Sequence, residues 1–290
     1  MKPLLTMLAS TLCFALMSTS VALAHARAPE LGTALSSFVR SIVNLGVLLA
    51  LAGGRVSDLL GDRRPALWWR GLSGAVALIT YFAALSRIGA GEAAFLNQTS
   101  SAWVAAIAPL ALGERTSPLT WLAVLASAAG TAALGWPRVD SPTGDLAGRL
   151  LGLVSGLSAA AAYLAIRRAT SSNGPAVIVF YFTLLSTVAS ALMMVALPAP
   201  LPTDPWAWVY LCGAGLFATG GQLLMTSAYQ QGPVATMAAV SAGTPLFTTL
   251  LAALLLGQRP DPLARLGMGV LVLASVALPF LSLRQGQRSA

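Results

Sequence analysis

The chain has 290 residues, of which 57% are hydrophobic and only 9% carry a charge. So few charged side chains cannot cover a water-soluble core, which excludes an ordinary soluble domain and indicates an all-α integral membrane protein. The formal net charge of +8 does not favour nucleic acid as a partner, because the basic residues lie at the ends of apolar runs rather than along one polar face.

Ten apolar runs are long enough to cross the hydrocarbon layer, which is about 30 Å thick. The connections between them are short and rich in Gly and Pro, so no soluble domain fits between the predicted helices. The runs are Leu4 to Ala24, Thr33 to Ala52, Ala66 to Leu85, Gly91 to Leu112, Leu119 to Trp136, Leu146 to Ile166, Pro175 to Leu197, Trp206 to Ala228, Val234 to Leu256 and Leu263 to Leu283.

The first run has two readings. Lys2, an apolar middle and the tripeptide Ala22-Leu23-Ala24 also describe a secretory signal peptide with its cleavage site. Its apolar stretch is longer than the usual signal core of roughly 7 to 15 residues, however, and cleavage would leave an incomplete set of helices. We therefore expect the run to be retained as the first membrane helix.

The basic residues of the short loops predict the orientation in the membrane. If the amino terminus is cytoplasmic, more Lys and Arg fall on the inner side than on the outer side, and the pairs Arg63-Arg64 and Arg167-Arg168 contribute most of the difference. Because positive loops stay inside, we expect a multi-pass protein of the bacterial cytoplasmic membrane with both termini in the cytoplasm.

A repeat relates the two halves of the chain. The sequence Leu112-Gly113-Glu114-Arg115, followed by Pro118, returns without a gap as Leu256-Gly257-Gln258-Arg259, followed by Pro262. The offset, 256 − 112, is 144 residues. With five predicted helices per copy, an odd number, the copies enter the membrane from opposite sides. We therefore expect two inverted five-helix repeats, residues 1–140 and residues 141–290.

These residues resemble a known family. A helix ending in Leu-Gly-Glu-Arg, a short break with Pro and a further apolar helix, given twice over about 300 residues, is similar to the EamA family of the drug/metabolite transporter superfamily. The resemblance implies a 5+5 helical fold, a central cavity lined mainly by the first four helices of each half, and alternating access. It also implies export of small metabolites, often amino acids, as in the bacterial aromatic amino-acid exporters.

Two departures from the family pattern are informative. Members commonly have a Pro in the fourth helix of each half, but only the second half keeps it, as Pro245, whereas the first half has Ser101. We therefore expect a proline break in the ninth helix alone, with Pro245 as a gating position. Gln258 replaces the Glu of the motif in the second half, so we expect Glu114 to be structural.

Arg40 is the most prominent charge at membrane depth. It lies about seven residues into the second run, roughly 10 Å below the surface, where a charge is costly unless it faces a cavity or a partner. Its long side chain could also snorkel outward or bond backbone carbonyls. The functional reading is that Arg40 attracts a substrate carboxylate, as an Arg in the second helix of many family members implies.

The densest polar stretch within a run is residues 97–101. Asn97 and Ser101 share one helical face and are predicted to line the cavity, although hydroxyl and amide groups also bond between membrane helices. Trp103 could stack on a substrate or simply pack. The repeat offset matches Ser241 to Asn97, and other runs contain further polar side chains. The remaining residues predicted to line the cavity are therefore Tyr81, Tyr163, Gln222, Ser241 and Thr244.

No Asp, Glu or His lies near the middle of any run. Glu92 lies at the outer edge of the fourth run, and the single His25 lies in a loop. Proton coupling through a buried carboxylate is therefore not expected, and facilitated diffusion, exchange or coupling through Glu92 stay open.

The function predicted from these features is export of a small metabolite, most simply amino acids, aromatic or apolar ones among them. Nucleosides and hydrophobic cations are alternative cargoes. A non-transporting membrane assembly protein is a weaker alternative, and the chain lacks the residues for an intramembrane enzyme, a metal site or a nucleotide-binding loop. We expect no cofactor, a lipid environment and a monomer.

Overall fold

The computed structural model describes residues 2–114, 116–135, 146–170, 172–255, 257 and 262–277, and the regular structure in this part of the chain is entirely helical. A short π-helical stretch, Leu273–Ala277, follows the last α-helix. The helices are α1 Lys2–Arg27, α2 Thr33–Leu51, α3 Val56–Leu60, α4 Pro65–Gln98, α5 Ser100–Leu112, α6 Pro118–Gly135, α7 Leu146–Ala169, α8 Pro175–Ala196, α9 Pro205–Gln231, α10 Val234–Ser241, α11 Thr244–Leu255 and α12 Pro262–Val272.

Six segments are long and apolar enough to cross a membrane: α1, α2, α7, α8, α9, and α10 together with α11. Two shorter apolar helical segments lie in α6 and at α12. Large apolar side chains such as Leu110 (89% exposed) and Val195 (83% exposed) point away from the bundle, as expected of a surface that faces lipid. The chain is therefore an all-helical membrane bundle.

The stretch α4 covers the predicted third and fourth runs without a break in helical backbone. Ala66 lines a cavity together with Leu164 of α7, whereas the Leu96 carbonyl oxygen lies against Gly156 of the same helix. A straight helix would separate Ala66 from Leu96 by about 45 Å, but Gly156 and Leu164 are only about 12 Å apart along α7. The chain therefore folds back within α4.

The loop predicted between the third and fourth runs is thus wrong as secondary structure. The second half does have such a break, at Gly232-Pro233 between α9 and α10. By the offset, Pro233 corresponds to Gly89. Proline lacks the backbone N–H that continues a helix, whereas glycine keeps it, so the helical backbone runs on in the first half only.

The prediction of a single broken helix is also wrong. Pro245 lies at the second position of α11, directly after the break between α10 and α11 at Ala242 and Gly243. The first half is interrupted at the equivalent position, because Thr99 separates α4 from α5. The Thr99 hydroxyl donates to the Leu96 carbonyl oxygen, so a local side-chain bond competes with the helical pattern where no proline is present.

The duplicated motif ends a helix in both halves. Gly113 has φ +69° and Gly257 has φ +66°, the left-handed conformation that glycine adopts most easily at the end of a helix. The Gly113 N–H donates to the Pro109 carbonyl oxygen at 3.1 Å. Leu256, Gln258 and Arg259, the other residues of the second Leu-Gly-Gln-Arg, lie outside the described residues.

The helix packing is paired between the halves. Helix α1 packs along α9, and its counterpart α7 packs along α4, the counterpart of α9. Helices α2 and α8 pack against each other, as do α6 and α12. The Ser10 hydroxyl donates to the Gly221 carbonyl oxygen at 2.8 Å, so the first run is integrated into the bundle.

Small residues allow the close approach of α7 to α4 and α5. A Cβ added to Gly156 would lie 2.5 Å from Thr99 Oγ1 and 2.7 Å from the Leu96 carbonyl oxygen. We expect Gly156→Ala to push these helices apart and to cost about 1–3 kcal/mol, the usual range for overpacking. Thermal unfolding in detergent measures the effect as a lower Tm.

Gly213→Ala is the matched control, because nothing lies within 4 Å of a Cβ at that position of α9. Alanine favours a helix over glycine by about 1 kcal/mol, so this variant should keep or raise the Tm. Equal Tm values for the two variants would contradict the tight contact at Gly156.

Candidate substrate-binding site

Arg70 is the largest fully buried side chain among the described residues, with 2% of its surface exposed. It follows the helix-starting Pro65 by one and a half turns, which carries it below the end of the bundle. One Nη donates to Gln222 Oε1 of α9 at 3.1 Å, and the guanidinium lies 4.4 Å from the ring centroid of Phe182 in α8. Its Nε has no hydrogen-bond partner in the described part of the protein.

Two tyrosines adjoin this arginine. The rings of Tyr163 in α7 and Tyr229 in α9 are stacked, with centroids 5.3 Å apart and an interplanar angle of 21°. Both are close enough to Arg70 to interact with its charge, and Tyr229 also faces Ser241. A guanidinium, an amide and aromatic rings from four helices thus converge at one point in the bundle.

Arg40 lies in the same core at another level. Its carbonyl oxygen is 3.3 Å from where a Cβ on Gly215 of α9 would lie, so α2 and α9 cross closely there. One Nη of Arg40 is buried and has no hydrogen-bond partner within the described residues. Arg40 is thus partly buried where α2 crosses α9, and its role at a substrate carboxylate stays a prediction.

Further unpaired polar atoms line the faces between α2, α8 and α9. Those of α2 and those of α8 recur at helical spacing, and each side chain has a buried polar atom without a partner in the part of the chain described. Unpaired polar groups are expensive in an apolar interior, so their accumulation makes this part of the bundle a candidate polar path. The residues are Ser37 and Asn44 of α2, Thr183, Ser186 and Ser190 of α8, and Thr226 of α9.

Of the residues predicted from the sequence, Tyr163, Gln222 and Ser241 meet around Arg70 and Tyr229. The Thr244 hydroxyl donates to the Ser241 carbonyl oxygen at 2.8 Å, next to this group. Pro245 follows it at the start of α11.

The other predicted residues make contacts elsewhere. Asn97 donates its amide to the Ser155 hydroxyl of α7, and the Ser101 hydroxyl donates to the Gln98 carbonyl oxygen. Trp103 is 40% exposed on α5, and Tyr81 packs with Ala84 and Ile88. The Asn97 bond links α4 to α7, the Ser101 bond is local to the start of α5, and none of these four residues joins the group around Arg70.

Sequence reasoning missed Arg70, Phe182 and Tyr229. Arg70 follows Trp68 and Trp69 at the start of a run, where basic and aromatic residues usually mark the membrane surface. Its distance from Pro65 was the available signal, since a residue one and a half turns inside a helix is no longer at its end.

The end of the bundle that carries Arg63-Arg64 and Arg167-Arg168, here called the Arg-pair end, is closed by bonds between the halves. Glu114 Oε1 accepts from Arg167 Nε at 3.1 Å, and Glu114 Oε2 accepts from the Val234 N–H, the first of α10, at 2.8 Å. Arg167 also donates to the Gln230 carbonyl oxygen at 2.7 Å. Glu114 of the duplicated motif thus joins the first half to α7 and α10, and Arg167 joins α7 to α9.

A second set of bonds at the Arg-pair end centres on Asp62. Its carboxylate accepts from the Ser172 hydroxyl and from the Asn173 amide, and the Asn173 carbonyl oxygen accepts from Gln230. The pKa of Asp62 lies below its ordinary value, mainly because the Ser172 hydroxyl donates a hydrogen bond to the carboxylate. Hydrogen bonds from Asn173 and Arg64 and the charge of Arg64 lower it further.

The opposite end of the bundle also carries ion pairs. Glu92 pairs with Arg149 at 2.7 Å, and Arg27 is 4.0 Å from Asp204. A separate apolar cavity of about 900 Å³ opens at the Arg-pair end between α4, α5, α7 and α8, with Trp68, Trp69 and Leu157 among its lining residues. It is distinct from the polar core, because its lining is mainly apolar.

The pattern of the EamA-like transporter family matches residues 1–136 and 146–279. The chain belongs to this family. It is similar to the pseudopaline exporter CntI of two strains of Pseudomonas aeruginosa, with 29% identity in both cases and coverage of 83% of this chain and 84% of each relative. One solved crystal structure, 21% identical, covers 97% of both chains with a TM-score of 0.83, which supports the fold alone.

Membership of this family and the membrane-length helices make the chain a multi-pass membrane transporter.

Proposed function

We propose that the chain is a secondary transporter that exports a small carboxylate-bearing metabolite, most simply an amino acid, through the polar core between α2, α4, α8 and α9. The observation that carries this proposal is the burial of Arg70 against Gln222 and Phe182. A buried guanidinium with no ionic partner favours an anionic ligand, and its planar fork suits a carboxylate.

The surroundings of the arginines argue against the alternative cargoes. Helices α2, α8 and α9 contain no Asp or Glu, and no described carboxylate forms an ion pair with Arg40 or Arg70. A hydrophobic cation would be repelled by both charges, and a neutral nucleoside would leave both uncompensated. The exporter function of the CntI relatives supports outward transport here as well.

We further propose ten spans in two inverted repeats that work by alternating access. Helix α1 of the first half packs on α9 of the second, and α7 of the second half packs on α4 of the first, which supports the repeat. The two matched segments of the family pattern support it as well. Both arginine pairs lie at one end, since Arg63 and Arg168 line the same cavity. The positive-inside rule then puts the Arg-pair end and both termini in the cytoplasm. We propose a monomer.

Flux from purified protein tests this proposal. Proteoliposomes loaded with radiolabelled L-phenylalanine or L-leucine should release it faster than empty-vector liposomes, and unlabelled amino acids should compete. Competition by nucleosides or hydrophobic cations alone would overturn the carboxylate assignment. Absence of flux for every member of the panel would favour the non-transporting assembly protein.

We expect transport to continue without a pH gradient. Glu92 is the one carboxylate within the described membrane-length helices and α4, and it is paired with Arg149. Flux into proteoliposomes with and without an imposed gradient should therefore be similar. A strong dependence on the gradient that Glu92→Gln abolishes would show that Glu92 couples proton movement to transport.

A further inference from the structure

Arg70, which is buried, and Arg40, which is partly buried, lie beside α9 at different heights. The Arg40 backbone approaches Gly215, and the Arg70 side chain is bonded to Gln222. The difference, 222 − 215, is seven residues, or about 10 Å along the helix axis. Because α2 runs toward the Arg-pair end and α4 runs away from it, the two side chains enter the core from opposite ends of the bundle.

Neutral polar groups lie on the helices that pack around these levels. The unpaired hydroxyls of Thr183, Ser186 and Ser190 lie on one face of α8 at successive turns, and Asn44 of α2 has an unpaired Oδ1. These side chains add hydrogen-bonding groups but no charge. A solute that reached from one arginine to the other would therefore find polar partners along its length.

The Arg70 side chain and one Nη of Arg40 are buried, and a buried charge is stabilised most by an opposite charge in contact with it. One carboxylate can compensate only one of two arginines that are separated by about two turns of helix. We infer that the site takes a solute with two separated anionic groups, such as an amino acid with a second, distal carboxylate. Arg70 binds one group and Arg40 binds the other.

This inference rests on the proposed export of carboxylates and names the substrate class within it. The probes are L-2-aminosuberate and L-2-aminooctanoate, which have the same chain length and differ by the distal carboxylate. Binding to the purified protein in lipid nanodiscs is measured by calorimetry. The diacid should bind at least about tenfold tighter, the factor that one charge-assisted hydrogen bond provides.

The arginine variants test the assignment of the two groups. In Arg40→Gln the ratio of the two affinities should fall to near one, whereas in Arg55→Gln, which removes an exposed loop charge, the ratio should stay as in the wild type. Arg40→Lys keeps the charge and should retain part of the preference. A monodisperse elution profile establishes that each variant is folded.

The outcomes separate the two proposals. Equal affinities for the two probes in the wild-type protein would overturn the two-anion inference and leave export of monocarboxylates standing. Binding of neither probe, together with no amino-acid flux, would overturn the proposed function itself. A preference for the diacid that persists in Arg40→Gln would overturn the role of Arg40.

Discussion

Arg70→Gln is expected to lower the flux of carboxylate-bearing substrates by about tenfold to a hundredfold. The variant loses the charge that contacts Gln222 and Phe182, and hydrogen bonds to charged groups contribute about 1.5–3 kcal/mol. Since about 1.4 kcal/mol corresponds to a factor of ten, the loss of one such bond to the substrate accounts for the effect. Initial rates in proteoliposomes, normalised to the amount of reconstituted protein, measure it.

The same substitution is not expected to destabilise the fold. Arg70 is 2% exposed and has no carboxylate partner among the described residues, so its burial carries a desolvation cost that no ion pair offsets. Replacing it by a neutral amide of similar polarity removes this cost. The Tm in detergent should therefore stay the same or rise while transport falls.

This opposition between stability and transport separates a binding role from a structural one. A parallel fall of Tm and flux in Arg70→Gln would show that Arg70 supports the packing of α4 instead. Arg55→Gln removes the same charge from an exposed position and should change neither quantity. Arg70→Lys should transport at an intermediate rate, because an ammonium keeps the charge but lacks the planar fork.

The positions of the helices are largely predictable from the length of the apolar runs and from the Gly and Pro residues that separate them. Most helix starts lie within a few residues of the predicted run, and the glycines of the duplicated motif end helices in both halves. The bend within α4 and the break at Thr99 were not predictable in this way. Proline is absent at both places, so the expected proline signal is missing: the Thr99 hydroxyl bonds the Leu96 carbonyl oxygen where the helix breaks, and α4 packs back along α7 where it bends.

The candidate substrate-binding site is predictable from the sequence only in part. Charge at membrane depth pointed to Arg40, and polar side chains within apolar runs pointed to Tyr163 and Gln222, which the fold brings together with Arg70. Periodicity within one helix could not show that Arg70 turns inward, because its orientation is set by Gln222, far away in the chain. The amide of Asn97 looked equally suited to a cavity, and its bond to Ser155 is also a property of the fold.

Glu114→Gln is expected to loosen the Arg-pair end. The carboxylate accepts from two donors, the Arg167 Nε and the Val234 N–H. A glutamine has one acceptor oxygen and one amide group that donates, so one of these donors loses its partner. Because the Glu114 side chain is 21% exposed and that of Arg167 is 37% exposed, solvent compensates in part, and we expect a loss of about 1 kcal/mol.

A double-mutant cycle with Arg167→Gln isolates the ion pair. If Glu114 and Arg167 act together, the Tm loss of the double variant should be smaller than the sum of the two single losses. Additive losses would mean that the carboxylate acts mainly through the Val234 N–H at the start of α10. Gln258 occupies the position of Glu114 in the second half of the chain, so glutamine is compatible with the motif itself.

The bonds of Glu114 also predict a conformational effect. Under the proposed alternating access this end must open, and weaker bonds between the halves should populate the open state more often. Ala228 of α9 is fully buried near the Arg-pair end. In a background without Cys13 and Cys212, a cysteine at position 228 should react faster with a membrane-impermeant maleimide when Glu114→Gln is present.

Arg149→Gln is the control, because it breaks an ion pair with Glu92 at the opposite end of the bundle. It should leave the labelling at position 228 unchanged or slow it, since weaker bonds at the far end favour closure of the Arg-pair end. Equal acceleration by both variants would mean that the labelling reports general loosening of the bundle. Acceleration by Glu114→Gln alone is the result that identifies the carboxylate of the duplicated motif as part of a gate.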